Sequence, residues 1–255
     1  MADNLTLNIN HVSKSFARIE KDDITNALAD VDLHFHSKEF VSLVGTSGCG
    51  KSTILRLIAG LITPTSGSLD ISGTPITKPG PDRGMVFQKP TLFPWLTVKK
   101  NVEFSLKMQN RLNGNEELVD RMLRLIHLEA FKDDYPGQLS GGMAQRVALV
   151  RSLISNPEIL LMDEPLGALD AFTRMAMQDE ILDIWQKSRQ LVVMVTHDID
   201  EAIYMGTKVV IMDANPGRIR AEIPIELTYP RNRSSSLFVE YRNQILEMME
   251  LGVKE

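Results

Sequence analysis

Nine consecutive residues, GTSGCGKST from Gly45 to Thr53, join three glycines, one lysine and several hydroxyls. Glycine allows backbone N–H groups to approach an anion with no Cβ in the way. A helix starting at Lys51 would add the positive end of its dipole. The spacing G-x-x-x-x-G-K-[ST] is met by Gly45, Gly50, Lys51 and Ser52. In that pattern the lysine bridges the β- and γ-phosphates and the following hydroxyl ligates Mg²⁺. The chemistry implied is a triphosphate held mostly by backbone, with Thr46, Ser47, Gly48, Cys49 and Thr53 completing the cradle.

Two further stretches carry chemistry. EILLMDEP, Glu158 to Pro165, ends an apolar run on two carboxylates. Asp163 at a buried strand end can hold Mg²⁺ through water. Glu164 follows where the chain turns, so it can face a γ-phosphate and act as general base on water. LSGGM, Leu139 to Met143, places Ser140, Gly141 and Gly142 just before a helical pattern, a second candidate anion site at a helix N-terminus. Taken alone, SGG is a common turn.

These residues need strands and helices to present them. The short apolar runs in EFVSLVG, GMVFQ, EILLMDE and QLVVMVTHD are read as buried strands, three of them in a parallel α/β core. VDLHFH, Val31 to His36, alternates apolar and polar residues and is read as a half-exposed strand, as is LTLNI near the start. Helical patterns start at Lys51, over Asn115 to Leu128 with Leu118, Met122, Leu125 and Ile126 on one face, and over Arg174 to Ser188. Strands alternating with helices argue α/β. Residues 91–156 break the rhythm and are read as a helical insert, residues 75–84 are a loop rich in Pro and Gly, and an amphipathic helix closes the chain.

Composition bounds the function. The 255 residues carry a net charge of −5, which gives no global reason to bind nucleic acid or an anionic membrane. One cysteine, Cys49, excludes an intrachain disulfide and fits a reducing cytoplasm. MADNLTLNIN lacks the regions of a signal peptide, and no apolar run is long enough to span a bilayer. Any membrane crossing is expected to fall to another chain.

Taken together the motifs resemble the ATP-binding subunits of ABC transporters. Gly45 to Thr53 look like the family's Walker A motif, Ile159 to Glu164 its Walker B, and Leu139 to Met143 its signature. Gln88 in VFQKP matches the Q-loop, Asp170 in GALD the D-loop, and His197 in VTHD the switch histidine. The resemblance implies a P-loop NTPase of ABC type, with a mostly parallel core sheet, an N-terminal antiparallel β part and a helical insert. It implies an ATPase domain over residues 5–230, then a linker and helix over 231–255. ATP and Mg²⁺ are the implied cofactors, with Ser52, Gln88 and Asp163 toward the metal and Lys51, Glu164 and His197 in catalysis. The implied partners are a second copy of the chain, whose signature closes over the same γ-phosphate, transmembrane permease subunits and, indirectly, a solute-binding protein, with no nucleic acid. The implied location is peripheral, on the cytoplasmic face of the cell membrane.

Two departures stand out. Met143 replaces the signature's usual Gln, and Phe16 stands where the family's adenine-stacking Tyr is expected. Phe16 has two readings, an adenine platform or a core aromatic after the first strand. PTLFPWLTV, Pro90 to Val98, also has two: a groove for a permease helix or packing within the insert. The blocks PGPDRGMVFQ, LFPWLTV, YPGQLSGGM, GALDAFTR, THDIDEA and NPGRI are similar to those of nitrate, taurine and alkanesulfonate importers, a subgroup that also serves bicarbonate and pyrimidine-type vitamin precursors. Leu166, where that subgroup tends to have Phe, and a longer segment over Ala17 to Ala27 depart from it. The competing classes are a soluble ABC ATPase acting on DNA or translation, which would add a coiled coil or a second ATPase domain, and a small-molecule kinase, which has no use for a signature motif.

Overall fold

The computed structural model describes residues 5–18 and 23–250. It divides into two compact units, Met1–Gly80 with Arg189–Glu255, and Pro81–Ser188.

The first unit holds two sheets. Strands β1 (Thr6–Arg18) and β2 (Asp23–His36) form an antiparallel pair, with β4 (Ser66–Ile71) on the other edge of β1 and β5 (Thr74–Pro75) beyond it. On β2, Val31, Leu33 and Phe35 are buried while His34 and His36 face outward, as the alternation in VDLHFH requires. The strand starts well before Val31, in a stretch where polar residues and an exposed Ile24 hide the periodicity.

In the second sheet β3 (Phe40–Gly45) lies between β8 (Leu191–Val195) and β9 (Lys208–Asp213), parallel to both. β10 (Arg218–Pro224) pairs antiparallel on β9. Every residue of β3 and β8 is buried, which explains why both read as continuous apolar runs. Helices α1 (Lys51–Ile58), α6 (Ile199–Met205) and α7 (Ser236–Glu250) complete this unit. α7 buries Phe238 and Ile245, two turns apart. Leu251, read as part of that helix, and residues 19–22 of the long Ala17 to Ala27 segment lie outside the described residues.

The second unit pairs β6 (Arg83–Val86) in parallel with β7 (Ile159–Asp163). All four dense apolar runs are therefore parallel strands, where three were expected. Helices α2 (Val98–Met108), α3 (Glu116–Leu125), α4 (Gly141–Leu153) and α5 (Ala171–Ser188) belong here, with two 3-10 turns at Glu129–Phe131 and Pro136–Gln138. α3 buries Val119 and Leu123, followed by Ile126. Leu118, Met122 and Leu125, assigned to the buried face from sequence, flank this row and are only half-buried. Val119, Leu123 and Ile126 form the buried i, i+4, i+7 stripe; Ile126 is on the expected face, while Val119 and Leu123 take the places expected of Leu118 and Met122. Among the described residues, no helix is long and apolar enough to cross a membrane.

Candidate active site

In the first unit the glycine-rich loop joins β3 to α1. The backbone, rather than side chains, shapes it. A Cβ on Gly45 would lie 2.5 Å from the Met212 carbonyl oxygen and 2.8 Å from Cys49 Sγ. Gly50, the N-cap of α1, has φ 93°, and a Cβ there would meet Leu28 Cδ2 at 2.5 Å. Only glycine takes that left-handed turn against such a wall. No side chain caps α1, and its first turn has no carboxylate, so the positive helix end is left for an anion. Lys51, 8% exposed, folds back over the loop, with Nζ donating to the carbonyls of Gly45 at 2.8 Å and Thr46 at 3.0 Å. Cys49 is fully buried beneath it, its Sγ 3.5 Å from the same ammonium. Thr46, Ser47 and Gly48 are exposed, and Ser52 and Thr53 sit half-buried in the first turn.

His197 is exposed at the exit of β8. Its neighbour Asp198 caps α6, accepting from the Glu201 amide at 3.1 Å. Phe16 is on β1, 39% exposed, with the Lys14 ammonium 5.0 Å from its ring centre. That exposure corrects its core reading, and the Lys14 ammonium lies over the ring.

In the second unit β7 ends at the buried Asp163. Glu164 takes a left-handed backbone, φ 46°, which a non-glycine residue adopts rarely and with strain. That turn is what frees Glu164 from the alternation of the strand. Gln88, just beyond β6, donates from Nε2 to Glu164 Oε2 at 3.0 Å. The structure thus joins two motif residues far apart in sequence. Nothing in either local pattern announced this contact.

The SGG segment differs in detail from its sequence reading. α4 starts at Gly141, so Gly141 and Gly142 form its first turn rather than preceding it. Ser140 is the N-cap, accepting from the Met143 amide at 3.3 Å. Met143 contributes its backbone amide to this cap. Gly142 packs close to Leu169, which would lie 3.1 Å from a Cβ, while a Cβ on Gly141 would meet nothing. Asp170 accepts from the Thr173 amide at 3.0 Å, and its hydrogen bonds with Thr173 hold its carboxyl below the usual carboxylate range.

Trp95 is 70% exposed, so its role as core of the insert is excluded. Its ring leans on Phe93, with centroids 5.5 Å apart, and Phe93 packs on Phe104 at 4.4 Å. Asn101, fully buried in α2, ties down the loop beneath. Asn101 Oδ1 accepts from the Phe93 amide at 2.9 Å, and Nδ2 donates to the carbonyls of Leu96 and Thr97. Arg151 donates to the Thr91 carbonyl at 2.8 Å. Sequence reading missed both anchors; a lone Asn in the first turn of a helix after a Pro-rich loop is the signal that could have found one.

The family model described as "ABC transporter" matches residues 28–167. The chain belongs to the ABC transporter family. As an ABC cassette it is an ATP-binding, ATP-hydrolysing protein. It is 48% identical over 225 residues to the uncharacterized ABC transporter ATP-binding protein MJ0412 of Methanocaldococcus jannaschii, covering 88% of this chain and 84% of that one. It is 44% identical over 237 residues to the aliphatic sulfonates import ATP-binding protein SsuB of Bacillus subtilis (strain 168), covering 93% and 92%. Its cassette fold matches the dimeric post-hydrolysis structure of the ATP-binding cassette MJ0796 bound to ADP and Pi. That match has a TM-score of 0.78 at 32% identity over 87% of this chain and 100% of that chain. In this ABC protein Leu166, the departure from the subgroup pattern, is buried. The substitution therefore sits inside the fold.

Proposed function

We propose that this ABC protein is the ATP-hydrolysing subunit of an importer for a small anionic solute, an alkanesulfonate first among them. The observation that carries the catalytic reading is the hydrogen bond from Gln88 to Glu164. It orients a carboxylate whose strained turn already directs it away from the strand.

The first unit supplies the ground-state hold. The loop from Gly45 to Thr53 offers amides and an uncapped helix end to the phosphates, Lys51 neutralises the β- and γ-phosphates, and Ser52 would ligate Mg²⁺. Phe16 stacks on adenine, and His197 hydrogen-bonds the γ-phosphate. The reaction itself is read from Asp163, Gln88 and Glu164. Asp163 and Gln88 would take part in holding Mg²⁺, and Glu164 takes the proton of the water attacking the γ-phosphorus, releasing ADP and phosphate. The donors are hydroxyl, amide and carboxylate oxygens, which suit a hard cation. Among the described residues no cluster of three or more His, Cys, Asp or Glu is disposed to hold a metal. Mg²⁺, when bound, neutralises charge developing on the phosphates.

Ser140, Gly141, Gly142 and Asp170 act in a dimer of two copies, a reading supported by the dimeric state of MJ0796. The exposed Trp95 face docks a permease, which holds the subunit at the cytoplasmic face of the membrane. The alkanesulfonate assignment is supported by near-full-length likeness to the Bacillus SsuB proteins. The experiment is reconstitution of the chain with the permease that co-purifies with it. ATP hydrolysis should be stimulated by the cognate binding protein loaded with an alkanesulfonate, and less by nitrate or taurine. Stimulation by nitrate alone would replace the solute. Absence of any co-purifying membrane protein would favour a non-transport ABC ATPase.

A further inference from the structure

Two arginines of the C-terminal segment grip one short helix, α6, at its two ends. At the first end the Arg242 guanidinium, on α7, meets the Asp200 carboxylate in a two-pronged pair, Nη2 donating to Oδ2 at 2.6 Å and Nε to Oδ1. Asp200 lies in the first turn of α6, three residues after His197. At the other end the buried Arg231 donates to the backbone carbonyls of Ile203 and Gly206, and to that of Leu227 at 3.1 Å. The Tyr229 hydroxyl donates to the Met205 carbonyl at 2.6 Å, and burial pushes its pKa up to about 12, so it remains a donor. The last carbonyls of a helix have no partner within it; here the C-terminal segment supplies them.

α7 packs on the unit through an apolar row, Phe238 and Ile245, both fully buried. The polar contacts do something different: they fix α6 along its axis and about it. The backbone before His197 is fixed as well. The Thr196 amide donates to the Leu43 carbonyl at 3.2 Å, on the strand that leads into Gly45. The Asp198 amide donates to Thr196 Oγ1 at 3.0 Å, which closes the turn around His197. His197 is therefore held between β3 on one side and α6 on the other, and α6 takes its placement from the C-terminal segment.

We propose that Arg242, acting through Asp200, is a positioning residue for His197. The C-terminal segment holds α6 so that the His197 imidazole is aimed before nucleotide arrives. The proposal rests on the reading of His197 as a γ-phosphate contact. The fork is the working feature, because a bidentate arginine fixes rotation as well as distance, and a lysine keeps the charge but not the geometry.

The test uses the full chain labelled at histidine. There are five histidines, so the ring signals of His197 can be followed against those of His11, His34, His36 and His127. In nucleotide-free Arg242→Lys the His197 signals should shift or broaden while the other four stay in place. ATP turnover should fall about threefold to tenfold, the scale of coupling through a packed element, with the KM for ATP unchanged. The exchanged pair, Asp200→Arg with Arg242→Asp, should recover most of that turnover. Unmoved His197 signals and wild-type turnover in Arg242→Lys would overturn the proposal and leave the pair as an anchor only. Should Arg242→Ala fail to fold, the lysine variant still decides, since it keeps the ion pair. If His197→Ala turns over like wild type, the γ-phosphate reading falls, while the ring signals still report whether the clamp aims that side chain.

Discussion

The chain carries two glycine-bearing helix N-termini that look alike in sequence and are built differently. At α1 the N-cap is Gly50 in a left-handed turn, pressed against Leu28, with no side-chain cap and with the buried Lys51 folded over the loop. At α4 the N-cap is Ser140, already hydrogen-bonded to the Met143 amide, and the neighbouring Gly141 faces open space. The first is a closed cradle walled by its own chain, with its own cation. The second is an exposed edge with no lysine, suited to an anion brought to it from outside. A helix dipole is common to both; what separates them is the wall and the charge. On the function proposed above the pair divides the work, one end holding the nucleotide and the other meeting a phosphate held by a second copy.

The strongest way to sharpen this contrast is to stop the chemistry while leaving both ends intact. Glu164→Gln removes the acceptor for the water's proton and should lower ATP turnover by about 10³-fold, within the range of general-base catalysis. ATP binding should persist, and gel filtration with ATP should show a dimer. Turnover near wild type would remove Glu164 from the general-base role and leave the two ends without a common reaction.

The next variant acts on the open end alone. Ser140→Arg should reduce turnover by roughly 10²-fold, the cost of losing one oriented donor set at a transition state, and should abolish the ATP-dependent dimer in a Glu164→Gln background. Nucleotide affinity of the monomer, measured by fluorescence titration, should stay within about twofold of wild type, since the change lies outside the closed cradle. Loss of ATP binding by the monomer would merge the two ends into one site and break the comparison.

Lys51→Ala acts on the closed end. Removing a point charge from the phosphates should weaken ATP binding by about 10- to 100-fold, the scale of a charge-assisted hydrogen bond. It should also weaken dimer formation in proportion. Equal ATP affinity in Lys51→Ala and wild type would show that the ammonium's bonds to Gly45 and Thr46 are its whole role.

Trp95→Ala should have the smallest effect on the chemistry. The isolated variant should fold, melt near the wild-type temperature and hydrolyse ATP at the wild-type rate, because a side chain 70% exposed contributes little to the core. Association with the permease should weaken by roughly 2 kcal/mol, as for a truncated aromatic hot spot. Full uptake by the variant would place the docking surface elsewhere in the second unit, and α3 would be tested next.

The amino-acid sequence by itself determined the chemistry that depends on local order. The reading of Gly45 to Ser52 as a phosphate loop rests on glycine spacing, lysine and the following helix, all within one short segment, and a strand ends at Asp163 because the apolar run before it is buried. Family membership was legible for the same reason. Tertiary structure alone decided what depends on residues far apart in sequence: the contact of Gln88 with Glu164, the tether of Asn101 and Arg151 beneath Phe93, the exposure of Trp95, and the grip of Arg231 and Arg242 on α6. It also decided that Val119 and Leu123, rather than Leu118 and Met122, join Ile126 in the buried stripe of α3, since periodicity gives the width of an apolar face and only the packing partners select its centre. β9 and β10 escaped for a related reason. A strand's identity lies in its hydrogen-bonded neighbours, and those neighbours are contributed by segments that sequence order keeps apart.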